Sequence, residues 1–142
     1  MLFKDGQHEE LFWGWQKQAE RDDVYHMALF YLLALNRDTR EHITQLYDFK
    51  THSIKPNAIR AEWQTSGSMA VTRLAYNLFN NGMPTMWLYE EDIEHQLQEC
   101  SCYTVADIFS CGEYGRYFWE AVQLRYLYLG YYTRVVHFHC GK

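Results

Sequence analysis

The segment from Val24 to Leu35 constrains the fold most, because as a helix it would be apolar on nearly all sides. Its apolar residues leave almost no polar face: Met27, Leu29, Phe30, Leu32, Leu33 and Leu35. A helix with this pattern has to lie at the centre of a fold. Its longest apolar run has only about half the length needed to span a bilayer. We therefore expect a central core helix rather than a membrane span.

Weaker helical patterns flank this segment. Asp5 is suited to cap a first amphipathic helix. Asn36 is expected to end the central helix, and Asp38 with Glu41 resembles a capping box that opens a third. The sequence thus predicts three consecutive helices over residues 5–49, whose packed faces include Phe12, Trp15, Phe30, Leu33, Ile43 and Leu46.

The second half of the chain contains further helical patterns. Residues 50–68 lose periodicity and leave room for one short helix after Pro56. Ser68 can cap a helix that Asn81 and Gly82 end. Residues 85–99 are expected to be helical, although residues 86–89 could equally form a strand. Thr104 opens a short turn, and a long helix follows Gly112 and is closed by Gly130.

These patterns predict a mainly α fold: one compact single domain over residues 1–142, with five or six helices. An acidic region that contains cysteines covers residues 83–111, and a strand-like tail covers residues 131–142. The tail could pair with residues 86–89 as a short two-stranded β element near the C-terminus.

Composition supports one ordinary globular domain. The 142 residues are 48% apolar and 18% aromatic, which is far more than a disordered chain carries. The first residues show no apolar export signal. We therefore expect a protein that is not exported and acts in the cytoplasm. In that compartment its cysteines should be reduced thiols and not disulfides.

The distribution of charge restricts the class of partner. The net charge of −5 provides no basic surplus for binding nucleic acid directly. Between Arg73 and Arg116 there are 42 residues without Lys or Arg. The same stretch carries seven acidic residues: Glu90, Glu91, Asp92, Glu94, Glu99, Asp107 and Glu113. This stretch is either a solvated helix face or a docking surface for a basic protein.

Cysteine and histidine spacing suggests a metal site. Zinc prefers four Cys or His ligands, and the leading set is His95, Cys100, Cys102 and Cys111. The alternative is that these thiols are buried and inert. Rival ligands are His137, His139 and Cys140, because residues 137 and 139 of a strand share one face. A third group, His8, His26 and His42, could meet inside a helical bundle.

Familiar catalytic motifs are missing from the sequence, so we expect a protein that is not an enzyme. Aromatic residues are unusually numerous, with twelve Tyr and five Trp. Tyr and Trp often anchor protein interfaces. The predicted partner-binding residues combine such anchors with the acidic run: Trp87, Tyr89, Glu90, Glu91, Asp92 and Glu94.

Several stretches resemble a family of small uncharacterised proteins from Gram-positive bacteria, their phages and mobile elements. The similar segments are residues 23–26, 38–40, 42–43, 54–56, 63–65, 71–80, 117–121 and 124–126, among them Val71-Thr72-Arg73-Leu74-Ala75-Tyr76-Asn77-Leu78-Phe79-Asn80. Residues 83–103 and 129–142 depart from that pattern, so the resemblance does not support the metal site. Since phages use small acidic proteins against host defence, the chain also looks like an anti-CRISPR inhibitor.

Three functional hypotheses remain open. The first is a non-catalytic inhibitor that binds the basic surface of a host nucleic-acid-handling enzyme, such as a Cas9-type effector. The second is a metal-dependent enzyme with a site among His95 and the cysteines. The third is a regulatory or structural helical protein in which zinc only stabilises the fold.

Overall fold

Helices pack around one central helix, α2, which spans Val24–Leu33. The computed structural model describes residues 1–82 and 104–129. Helix α2 packs against α1 (Gly6–Ala19), α5 (Ser66–Asn80) and α7 (Gly115–Arg125). From His26 to Leu33 every residue of α2 is buried. The prediction of a central core helix is confirmed.

Aspartates cap the first two helices, which confirms the prediction for Asp5. The Asp5 carboxylate accepts a hydrogen bond from the amide of His8, and the Asp23 carboxylate accepts one from the amide of His26. Such caps satisfy amides that have no partner within the helix. Helix α2 ends at Leu33, two residues earlier than predicted, although Leu35 is still fully buried.

The predicted third helix is wrong in its details. The structure has two short helices there, α3 (Arg37–Glu41) and α4 (Ile43–Leu46), which are separated at His42. The Asn36 side chain accepts hydrogen bonds from the amides of Asp38 and Thr39, so Asn36 caps α3 instead of Asp38.

A small hairpin follows α4. Strand β1 (Tyr47–Asp48) pairs antiparallel with β2 (Ser53–Ile54), so that Tyr47 lies opposite Ile54. A 3₁₀ helix at Pro56–Arg60 comes next and confirms the short helix predicted after Pro56. This hairpin was not predicted. The predicted pairing of residues 86–89 with the tail lies outside the described residues.

Helix α5 begins earlier than predicted. Thr65 is its N-cap, and Ser68 completes a reciprocal capping box as the third helical residue. Asn81 ends the helix in the left-handed conformation, as its sequence predicts.

The last described elements form a compact corner. Thr104 caps the short helix α6 (Val105–Phe109) by accepting a hydrogen bond from the Asp107 amide. A 3₁₀ turn at Gly112–Tyr114 leads into α7, and another at Leu127–Leu129 follows it. The long helix predicted to reach Gly130 therefore ends at Arg125.

The mainly α prediction is confirmed, with one small antiparallel sheet in the described residues. Of the predicted packed residues, Phe12, Trp15, Phe30, Leu33 and Leu46 are buried and Ile43 is partly buried. Among residues 1–82 and 104–129, no helix combines the length and apolar character that a membrane span requires.

Candidate functional site

Most of the predicted site residues lie outside the described residues. This applies to the zinc ligands His95, Cys100 and Cys102, and to the rival ligands His137, His139 and Cys140. It also applies to all the predicted partner-binding residues: Trp87, Tyr89, Glu90, Glu91, Asp92 and Glu94. Of the leading ligand set, the structure describes Cys111.

Cys111 lies between α6 and α7 as a partly buried thiol. Its Sγ donates a hydrogen bond to the carbonyl oxygen of Asp107 over 3.0 Å. Burial raises the pKa of this thiol, and the nearby Asp107 carboxylate adds to the increase. A zinc ligand at this position would have to lose both the proton and the hydrogen bond. Within the described parts of the chain, no three His, Cys, Asp or Glu side chains form a potential metal cluster.

The three histidines expected on successive helices occupy separate environments. His8 is fully buried and hydrogen-bonded to the Tyr31 carbonyl oxygen. His26 contacts Asp23 and Tyr47. The ring of His42 stacks on Trp63, with 4.1 Å between ring centroids. They do not form a shared cluster in the described structure.

Asp23, His26 and Tyr47 form a hydrogen-bonded series that looks like a proton relay. His26 Nδ1 lies 2.9 Å from Asp23 Oδ2, and Nε2 lies 2.9 Å from the Tyr47 hydroxyl. Burial alone would raise the pKa of Asp23, but hydrogen bonds from His26 lower it below its usual value. Burial raises the pKa of Tyr47 to about 12. Since Tyr47 is 1% exposed, the series ends in the core, where it joins β1 to α2.

The described surface has an apolar patch where α6 meets α7, which we call the α6–α7 patch. It consists of Val105, Phe109 and Trp119, with 74%, 38% and 51% of their surfaces exposed. The rings of Phe109 and Trp119 meet edge to face, with 6.5 Å between centroids. Grouped exposed apolar side chains are typical of interaction surfaces.

Gly115 allows the close packing that forms this patch. A Cβ atom at Gly115 would lie 3.0 Å from the carbonyl oxygen of Phe109, which is closer than an ordinary contact. The missing side chain therefore lets α6 approach the first turn of α7. As a result, Phe109 and Trp119 come from different helices and form one surface.

The α6–α7 patch lies at the end of the stretch without Lys or Arg. Asp107 on α6 and Glu113 in the 3₁₀ turn before α7 are both exposed. Arg116, the first base after that stretch, is also exposed on α7. The patch thus combines aromatic side chains with a local excess of acidic groups. The sequence shows that these side chains are apolar or acidic, but their meeting on one surface depends on the turn between α6 and α7.

A comparison with models of protein families shows the family of this chain. The model of a family of unknown function, DUF6075, matches residues 1–135. The chain belongs to this family. The DUF6075 match takes in both described parts of the chain, including all three residues of the α6–α7 patch, and the family description gives no activity. Neither the search of curated proteins nor that of solved structures produced a significant match.

Proposed function

We propose that this DUF6075 protein is a non-catalytic binding protein that docks on a basic protein surface. The observation that carries the proposal is the α6–α7 patch, where the ring of Trp119 is half exposed and packs edge to face against Phe109. Buried aromatic side chains supply much of the binding energy at protein interfaces, and Trp is among the most enriched. A partner that covers this patch would remove apolar surface from water.

Charge complementarity supports a partner with a basic surface. The patch lies at one end of 42 residues that contain seven carboxylates and no Lys or Arg. Such a charge distribution attracts a positively charged surface and repels nucleic acid. Trp87 and Tyr89 adjoin the densest acidic run and would provide further aromatic contacts. A basic protein surface therefore suits this region best.

Nucleic-acid-handling enzymes have surfaces of this kind, because they line their channels with Lys and Arg to hold phosphates. By occupying such a channel, the protein would exclude the nucleic acid and inhibit the enzyme. A Cas9-type effector is the partner that we propose to test first. The resemblance to phage and mobile-element proteins supports this choice.

A binding titration with charge variants tests the proposal. The variant Glu90→Gln, Glu91→Gln, Asp92→Ser and Glu94→Gln should bind a Cas9-type effector more weakly, mainly through slower association. The loss should be large near 0.1 M salt, where the Debye length is about 10 Å, and small near 1 M, where it is about 3 Å. Inhibition of DNA cleavage should weaken in parallel.

A matched control separates local contacts from net charge. The variant Glu9→Gln, Glu10→Gln, Glu20→Gln and Asp22→Ser removes the same charge from exposed positions on or just after α1. It should keep its affinity and nearly all of its inhibition. Equal weakening by both variants would contradict a defined acidic interface, and so would an unchanged affinity in the first variant.

A further inference from the structure

Arg125, near the end of α7, is a buried charge without a matching carboxylate in the described structure. Its exposure is 3%, although arginine is rarely so buried unless it is paired. No carboxylate among residues 1–82 and 104–129 forms an ion pair with it. Asp23, which caps α2 two residues before the stacked Tyr25, is hydrogen-bonded to His26 instead.

The guanidinium group uses only one of its two edges. Nε donates to the carbonyl oxygen of Leu78 and Nη2 donates to Oδ1 of Asn81, each over 2.9 Å. In the described structure Nη1 is buried and has no hydrogen-bond partner. The edge formed by Nη1 and the remaining proton of Nη2 is therefore unused. This edge can bind two oxygens of one ligand side by side.

Aromatic rings hold the plane of the guanidinium group. Its central carbon lies 3.8 Å from the ring centroid of Tyr25 and 4.8 Å from that of Tyr126. These cation–π contacts stabilise the charge and fix its orientation. The rings cover the faces of the group, so a ligand would have to reach it at the edge. Tyr25 and Asn81, which contact the guanidinium group, are themselves exposed at the surface.

We propose that Arg125 is the anion-binding residue of a carboxylate site between the ends of α5 and α7 and the start of α2. A carboxylate would accept two parallel hydrogen bonds from Nη1 and Nη2, and its negative charge would balance the buried guanidinium. An Arg edge can bind either carboxylate or phosphate side by side, and the planar carboxylate is the smaller of the two, so it needs less room beside the buried Nη1. Small movements of Tyr25 and Asn81 would admit it. This inference does not depend on the proposed protein partner.

Thermal unfolding with acetate as the probe tests the site. The melting temperature of the unchanged protein should rise with acetate concentration, relative to chloride at the same ionic strength, because a ligand that binds the folded state stabilises it. Arg125→Met should abolish the acetate-dependent rise. Arg40→Met is the matched control, since Arg40 already donates to Asp5, Gln7 and the carbonyl of Ala34, and it should keep the rise.

Two further measurements keep the test decisive. If Arg125→Met does not fold, the Arg125 Nε–H signal of the unchanged protein, assigned by its loss in Arg125→Lys, should shift and saturate as acetate is added. Inorganic phosphate should give a smaller effect than acetate. The proposal is overturned by the absence of an acetate-specific response, by an equal rise in Arg125→Met, or by a stronger response to phosphate.

Discussion

The amide of Leu2 donates a 3.0 Å hydrogen bond to the carboxylate of Glu120, 118 residues further along the chain. Glu120 lies on α7 and is fully buried. The Leu2 carbonyl oxygen in turn accepts a 2.6 Å hydrogen bond from the hydroxyl of Tyr31 on α2. The first residues are thereby fastened to two helices of the core and form part of the fold.

Removing the Glu120 charge should weaken this attachment. Glu120→Gln replaces a charge-assisted hydrogen bond by a neutral one, and we expect a loss of about 1 to 2 kcal/mol in the free energy of unfolding. Urea denaturation measures the loss. Glu113→Gln, at an exposed position, should change stability by less than about 0.5 kcal/mol. Equal effects of the two substitutions would show that the Leu2 contact contributes nothing.

Acid should destabilise the protein through His8. The amide of Lys4 can only donate, so His8 Nδ1 accepts its hydrogen bond, and Nε2–H donates to the Tyr31 carbonyl. Burial lowers the pKa of His8 from 6.5 to about 4. As pH falls, the unfolded state takes up the proton before the folded state does. The contribution of neutral His8 to the free energy of unfolding is therefore complete above pH 6.5 and is lost as pH falls toward 4. At about 1.4 kcal/mol per pKa unit, it amounts to roughly 3 kcal/mol.

NMR titration of the His8 ring measures its pKa directly, and the midpoint should lie near pH 4 in the folded protein. A midpoint near 6.5 would contradict the neutral, buried ring. Below pH 4 the loss of stability should continue, because hydrogen bonds lower the pKa of both Asp5 and Asp23 in the folded state.

Truncation of Phe30 should be costly. Its ring is fully buried and packs edge to face against Tyr47, with 5.0 Å between centroids, and against Trp15 at 6.1 Å. Phe30→Ala should reduce the free energy of unfolding by about 3 to 5 kcal/mol, through lost burial and the cavity that remains. Trp119→Ala removes an exposed ring and should cost less than about 1 kcal/mol. A similar cost for both would contradict the central position of α2.

Zinc binding by His95, Cys100, Cys102 and Cys111 stays a prediction. Elemental analysis of purified protein should find about one zinc, and Cys102→Ser should release it and lower thermal stability. Because binding must deprotonate the Cys111 thiol, affinity should fall as pH decreases. Purified protein without metal would leave Cys111 as the hydrogen-bonded thiol that the structure describes.

Local sequence patterns predicted the presence of most helices and several of their caps, because the causes of both are local. Asp5, Asp23, Thr104 and Asn81 act as caps within a few residues of the groups that they bind. The β1–β2 hairpin could not be predicted in this way, since strands of two residues are too short to show alternation. The break at His42 could not be predicted either, because no Gly or Pro marks it in the sequence.

The candidate sites were less predictable than the helices. The grouping of Phe109 with Trp119 depends on the approach of α6 to α7, and burial of Arg125 involves stacking on Tyr25 from α2. Each contact joins residues from two different helices. Asp23 and His26 could have been found together, because His26 follows Asp23 by three positions at a helix start, but the Tyr47 contact requires the folded chain.

Binding by a variant of the α6–α7 patch tests the central claim most directly. Phe109→Ser with Trp119→Ser removes both exposed rings, and Tyr128→Ser with Leu129→Ser is a matched control at other exposed apolar positions. In a titration against a Cas9-type effector, the patch variant should lose at least about tenfold in affinity, or 1.4 kcal/mol, while the control keeps the original affinity. A folded patch variant that binds as tightly as the unchanged protein would contradict the proposed docking surface.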